Sequence, residues 1–157
     1  MPEAPTVPLE EAVADGLLRE LERFFAEHAE SVPYFAPEAA EHLDVMTRSL
    51  LALEQRAEHP QDEVASLFRA VHTLKGAAYT VGCAPLGDAT HQIEDLLDAV
   101  REHRLPVTPA VTEAIFAGTA AIKRVLQNGA AVSDEAAQAL ERATRALCAL
   151  KIGRAHV

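Results

Sequence analysis

The stretch from Asp62 to Val100, DEVASLFRAVHTLKGAAYTVGCAPLGDATHQIEDLLDAV, decides the fold. Val64, Leu67, Phe68, Val71, Leu74, Ala78 and Val81 recur at three- and four-residue steps, the spacing of one apolar helix face. Asp62 suits the N-cap of that helix, and Gly82 suits the left-handed residue that follows a helix end. Pro85 then opens a second helix, which turns Leu86, Ala89, Ile93, Leu96, Leu97 and Val100 inward. Only a few residues separate the two, so they are expected to lie antiparallel and to share one core.

The same period extends outward in both directions. A helix is expected from Leu9 to Glu30, with Val13, Leu17, Leu21, Phe24 and Phe25 on one face and Gly16 as a weak point. SVPYFAP reads as a break, after which Pro37 starts a helix lasting to Ala57 and burying Leu43, Met46, Leu50 and Leu53. Pro60 separates that helix from the next. Thr108-Pro109 caps and starts another helix, which ends near Asn128-Gly129, and Ser133 caps a last one through Leu150. No strand period competes. The expected fold is all-α: an antiparallel four-helix bundle with an additional N-terminal helix and a C-terminal helix. Residues 1–31 are read as a disordered start, MPEAPTVP, plus the extra amphipathic helix, 32–150 as the bundle domain, and 151–157 as a tail off the helical pattern.

Composition excludes several function classes. Net charge is −10, from 14 basic and 24 acidic residues, so the basic stripe that neutralises nucleic-acid phosphates is missing. No apolar run approaches the ~18 residues that span a bilayer. The acidic, proline-rich N-terminus has neither the basic start nor the apolar stretch of a signal peptide, which points to the cytoplasm. Cys83 and Cys148 lie far apart without CxxC spacing and read as small core or boundary residues.

Chemistry concentrates in the same stretch that decides the fold. His72 sits one step off the apolar stripe and should face outward, with Lys75, Gly76 and Tyr79 following at i+3, i+4 and i+7 on its face. An exposed imidazole there can be reached by another protein's active site, and Lys75 can balance the charge of a phosphoryl group on the ring. Gly76 costs a helix interior roughly 1 kcal/mol relative to Ala, a cost that makes sense where a partner must approach closely. On the following helix His91 and Glu94 share a face beside the apolar stripe. From there Glu94 can reach His72, hold one ring nitrogen protonated and leave the other nucleophilic. A metal-binding bundle is the competing reading from another class. Di-iron bundles place Glu-x-x-His on two helices facing the core, whereas His91-x-x-Glu94 reverses the order and occurs once.

The segment FRAVHTLKGAAYTVG, with THQIEDLLDAVR after it, resembles the phosphoacceptor region of histidine-containing phosphotransfer (Hpt) domains. It is especially similar to the N-terminal Hpt domain of CheA-type chemotaxis and pilus-motility histidine kinases. YFAPEAAEHLDVMTRSLLALE resembles the first helix of that domain, so the likeness runs from Tyr34 to Leu150 and omits the Leu9–Glu30 helix. The resemblance implies that His72 is the phosphorylated histidine, that Lys75 and Gly76 are the K-G following it, and that His91 and Glu94 are the family's second histidine and the glutamate bonded to the acceptor ring. Ala77 stands where the family often has a second glycine. It further implies a phosphorelay. The ATP-binding domain of a histidine kinase, in cis or in trans, would phosphorylate His72, and the aspartate of a response-regulator receiver domain would take the group. The chain would need no cofactor and no catalytic site of its own, and would be a fragment of a larger CheA-type kinase. A non-phosphorylated helical adaptor is the remaining alternative. KIGRAHV can be encoded by DNA containing AGATCGGAAGAGCACACGTC, the start of a common sequencing adapter, so Lys151–Val157 is expected to be adapter read-through, the alternative being a frayed natural end.

Overall fold

The computed structural model describes residues 7–155, excepting the side chains of 153–155. Its elements are helices α1 (Leu9–Glu27), α2 (Val32–Glu54), α3 (Pro60–Val81), α4 (Ala84–Arg101), α5 (Pro109–Asn128) and α6 (Asp134–Ala155), with a single 3-10 turn at Gly129–Ala131. Among the described residues there is no strand. Helix α2 packs on α3 and α5, α3 on α4, and α4 on α5, which closes a four-helix ring. Helix α6 lies against α5 and α4, and α1 covers α6 and part of α4. Leu43, Met46, Leu67, Leu74, Ile93, Leu97, Ile115 and Ile122 are fully enclosed at the centre, where removing their apolar surface from water drives assembly. None of the described helices is long and apolar enough to cross a membrane.

Several helix ends follow the expected chemistry. Gly82 has φ 93° and ends α3 in the left-handed region, where a Cβ would also meet the His28 ring at 3.1 Å. The Thr108 hydroxyl accepts from Val111 N–H at 3.3 Å, and the Ser133 hydroxyl accepts from Ala136 N–H at 3.1 Å.

Other boundaries differ from the sequence reading, each for a local reason. Helix α1 stops at Glu27 rather than Glu30: His28 leaves the helical region at φ −115° and ψ 28°, and its ring Nδ1 lies 3.1 Å from the Phe24 carbonyl. Val13, expected to face inward, is exposed. SVPYFAP is not a break: α2 starts at Val32, with Pro33 in its first turn and Pro37 inside it. Pro37 removes one donor and crowds one carbonyl, but the same turn seats Phe35 edge-on to Phe24 at 6.5 Å, and Ala39 is fully buried just beyond. Helix α2 ends at Glu54, three residues before Ala57, and Arg56 turns to φ 56°.

Helix α3 begins at Pro60 with His59 as its N-cap residue, so Asp62 is not the cap. Pro60 brings a preset φ and no donor to lose, while Asp62 and Glu63 place negative charge in the first turn, against the helix dipole. Helix α6 runs past Leu150 to Ala155, contrary to the expected pattern break. Lys151 anchors that extension by donating to Gln92 at 2.7 Å and Asp95 at 2.9 Å on α4. Of the expected disordered start, residues 1–6 lie outside the described residues, as do His156 and Val157, while Val7 and Pro8 directly precede α1.

Helix α1 is an integral layer of the bundle. Phe24 is buried between Phe25 and Phe35, with centroids at 5.1 and 6.5 Å. We expect Phe24→Ala to cost about 3–5 kcal/mol in denaturant unfolding. Leu9→Ala on the same helix, at a position 79% exposed, should change stability by less than about 0.5 kcal/mol.

Candidate functional site

Helices α3 and α4 run antiparallel, so a step forward on one is matched by a step back on the other. That register sets His72 opposite Glu94. The His72 Nδ1–H donates to Glu94 Oε2 at 2.7 Å, and the Lys75 ammonium donates to Glu94 Oε1 at 2.6 Å. Both lengths suit hydrogen bonds to an ionised acceptor. A carboxylate can only accept, so this pairing places the ring proton on Nδ1 and leaves the lone pair on Nε2. The imidazole side chain is 63% exposed, and among the described residues Nε2 has no hydrogen-bond partner. Ring orientation is thus fixed from the buried side while the imidazole stays open to solvent.

Glu94 itself is only 7% exposed and belongs to the buried face of α4, not beside it as the apolar spacing implied. Burial alone would push its carboxyl up. The hydrogen bonds and positive charges of Lys75 and His72 outweigh that and hold it below the usual carboxylate range. Lys75 is likewise not a free cation beside the ring, because its ammonium is tied to the far oxygen of Glu94. The triad is therefore His72–Glu94–Lys75, with the carboxylate at its centre.

The remaining expected site residues are placed differently. A Cβ added at Gly76 would meet nothing within 4 Å, so close helix packing does not require glycine there. Gly76 lines an open groove of about 1030 Å³ between α3 and the start of α2, together with Thr73, Thr80 and the exposed Tyr34. His91 is not brought into the triad: it is half-exposed, with Nε2 3.4 Å from Asp95 Oδ1 on its own helix. The i, i+4 partner competes successfully with the i, i+3 one. Cys83 is buried, with its thiol pushed up to about 12 by that burial, and Cys148 donates to Gln92, so both are scaffold residues.

Three contacts escaped the sequence reading. The Phe68 ring lies nearly parallel to His72, 6.1 Å away and inclined by 11°, and the Arg101 guanidinium sits 4.0 Å from the Phe68 centroid. Tyr79 donates to Asp88 across the helix pair at 2.5 Å. Once His72 is paired with Glu94, antiparallel counting places Phe68 near Arg101 and Tyr79 near Asp88, and that count was the available signal.

Comparison with known proteins finds relatives over most of the bundle. The family model described as Hpt domain matches residues 30–147, which begins just after α1. The chemotaxis protein CheA of Listeria monocytogenes is 37% identical over 94 residues, covering 60% of this chain and 15% of that protein. CheA of Treponema pallidum is 36% identical over 96 residues, covering 61% and 12%. The chain therefore spans only a small part of the length of these curated relatives. Among solved structures, the phosphorylated P1 domain of CheA3 in complex with CheY6 from R. sphaeroides superposes with a TM-score of 0.62 at 30% identity. It covers 79% of this chain and 94% of that one.

A carboxyl held low in the folded state stabilises the fold at pH above its unfolded value, and the contribution is lost as pH falls through the depressed native value. Glu94→Gln should therefore cost about 1–3 kcal/mol at pH 7. The gap between wild type and variant should shrink as pH drops below about 4.3, the ordinary glutamate value. Denaturant titrations at pH 7, 4 and 3 check both the size and the sign. Gly76→Ala, facing open space, should instead raise stability by about 1 kcal/mol.

Proposed function

The chain belongs to the Hpt domain family, and we propose that His72 is its phosphoacceptor in a relay between a kinase ATP-binding domain and a response-regulator receiver. The observation that carries this reading is the 2.7 Å bond from His72 Nδ1 to Glu94, on a ring that is otherwise open to solvent. The Nε2 lone pair attacks the terminal phosphorus of ATP held by the kinase domain. The N–P bond forms, the bond to the bridging oxygen breaks, and ADP leaves. The proton on Nδ1 stays in place, and Glu94 offsets the positive charge that develops on the ring. In the second step a receiver carboxylate attacks the same phosphorus, the N–P bond breaks, and His72 returns to its neutral tautomer. Lys75 acts through Glu94 by holding the carboxylate ionised and aimed, and Gly76, one turn after His72, keeps the groove between α3 and the start of α2 open to a partner backbone.

The two chemistries divide between proteins. This chain contributes a nucleophile and its orienting carboxylate, as in the base half of a hydrolytic triad. The nucleotide, the metal that accompanies it and the receiver aspartate come from the partners. The relatives are CheA proteins, and one neighbour structure pairs a phosphorylated P1 domain with CheY6. These likenesses support a parent of CheA type, a receiver as the next acceptor and a cytoplasmic setting. The metal-bundle reading loses its footing because the second oxygen of Glu94 is already held by an ammonium group.

Incubation with radiolabelled ATP and a CheA-type catalytic core tests the proposal. Wild type should take up label that acid releases and alkali does not, the behaviour of a phosphoramidate. His72→Gln should take up none, and Glu94→Gln should be slower by about 10²-fold. Label on His72→Gln, or label that survives acid, would overturn the assignment.

A further inference from the structure

Helix α3 carries a second cross-link to α4, two turns beyond His72 on the same face. The Tyr79 hydroxyl donates to Asp88 Oδ1 at 2.5 Å, and its ring lies flat over Gly87. A Cβ at Gly87 would stand 2.6 Å from Cε1 and 2.7 Å from Cδ1 and Cζ of that ring, well inside contact distance. A glycine in the first half of a helix otherwise weakens it. Here it opens the slot that a tyrosine fills. Tyr79 remains 42% exposed, so core burial does not account for the arrangement. Its hydroxyl is pushed up to about 12 by burial and by Asp88, and so stays a donor at any physiological pH.

The position of this cross-link suggests its use. Phe68 and Arg101 bind α3 to α4 on one side of the triad, and Tyr79 with Asp88 does so on the other. Between them, Leu74, Ala78 and Ile93 are buried in the common core, where the hydrophobic attraction is non-directional and does not by itself specify hydrogen-bond geometry. A hydrogen bond from Nδ1 to a carboxylate needs that geometry, because it weakens steeply with distance and angle. We propose that Tyr79, Gly87 and Asp88 form a positioning clamp that sets the axial register of α3 on α4. The clamp keeps Glu94 on Nδ1 of His72 and so maintains the tautomer whose Nε2 accepts the phosphoryl group. These are positioning residues, since none of them touches the reacting atoms. The inference rests on the role given to His72, but its primary readout does not.

That readout is the ¹⁵N spectrum of the His72 ring, which reports the share of neutral imidazole protonated on Nδ1, alongside phosphotransfer rate and thermal melting. Wild type should be almost wholly in the Nδ1–H form. Tyr79→Phe, which keeps the ring, and Asp88→Ala should stay helical while the tautomer drifts toward that of an unrestrained imidazole and transfer slows threefold or more. Asp88→Asn, which keeps an acceptor, should retain most of both. Gly87→Ala should be as impaired as Tyr79→Ala, and combining the two should be no worse than either alone. If Gly87 merely makes room for the ring, Tyr79→Ala will behave as wild type and the double variant will recover, which overturns the clamp. An unchanged tautomer and rate in both Tyr79→Phe and Asp88→Ala would overturn it equally. Should wild type accept no phosphoryl group at all, the functional reading fails while the spectrum still decides the clamp.

Discussion

A carboxylate in the interior of a helical bundle must be paired, because an isolated buried charge is far too costly to keep. Glu94 meets that demand with two charge-assisted bonds, one oxygen to the Lys75 ammonium and the other to the His72 ring. Much else in the molecule follows from this one constraint. The pair can form only if α3 and α4 run antiparallel in a single register, and the apolar stripes of both helices agree with that register. Because the carboxylate lies below the surface, the ring it grips is anchored from beneath and stays open to solvent.

This arrangement reconciles two requirements that usually conflict. A nucleophile serving partner proteins has to be exposed, yet an exposed side chain ordinarily samples several rotamers. Here the Nδ1 bond removes that freedom, and the neighbouring Phe68 ring, with Arg101 against it, gives the imidazole a parallel wall. On the α2 side of α3, an open groove runs past Gly76. Helix α6 packs on α5 and α4, and α1 packs on α6, α4 and the Gly129–Ala131 turn, with its C-cap residue His28 against Gly82 at the end of α3.

How much of this was legible in the sequence differs between kinds of feature. The bundle and the helices were legible because an apolar period of 3.6 is a strong, redundant signal. The pairing of His72 with Glu94 was legible because an antiparallel hairpin maps one helix onto the other. Boundaries were less so. Pro37 reads locally as a helix start, yet tertiary burial of Phe35 and Ala39 carries α2 through it. Asp62 reads as a cap, although Pro60 already satisfies the helix start. Lys151 reads as the start of an off-pattern tail, since its partners Gln92 and Asp95 are far away in sequence. Glu94 was placed beside the core rather than within it for a related reason: residue-by-residue hydrophobicity cannot register a charge whose burial is paid for by partners on another helix. The partner of His91 was not legible, because two acceptors, Glu94 and Asp95, lie within one turn of it and spacing alone does not rank them.

The central claim is that Glu94 reserves Nδ1 and leaves Nε2 to react. Phosphorus–nitrogen correlation NMR on ¹⁵N-labelled, phosphorylated protein addresses it directly, because it identifies the bonded atom. The account predicts a single phosphorus coupled to Nε2 of His72, with Nδ1 still carrying its proton. Coupling to Nδ1, or to any other residue, would contradict it.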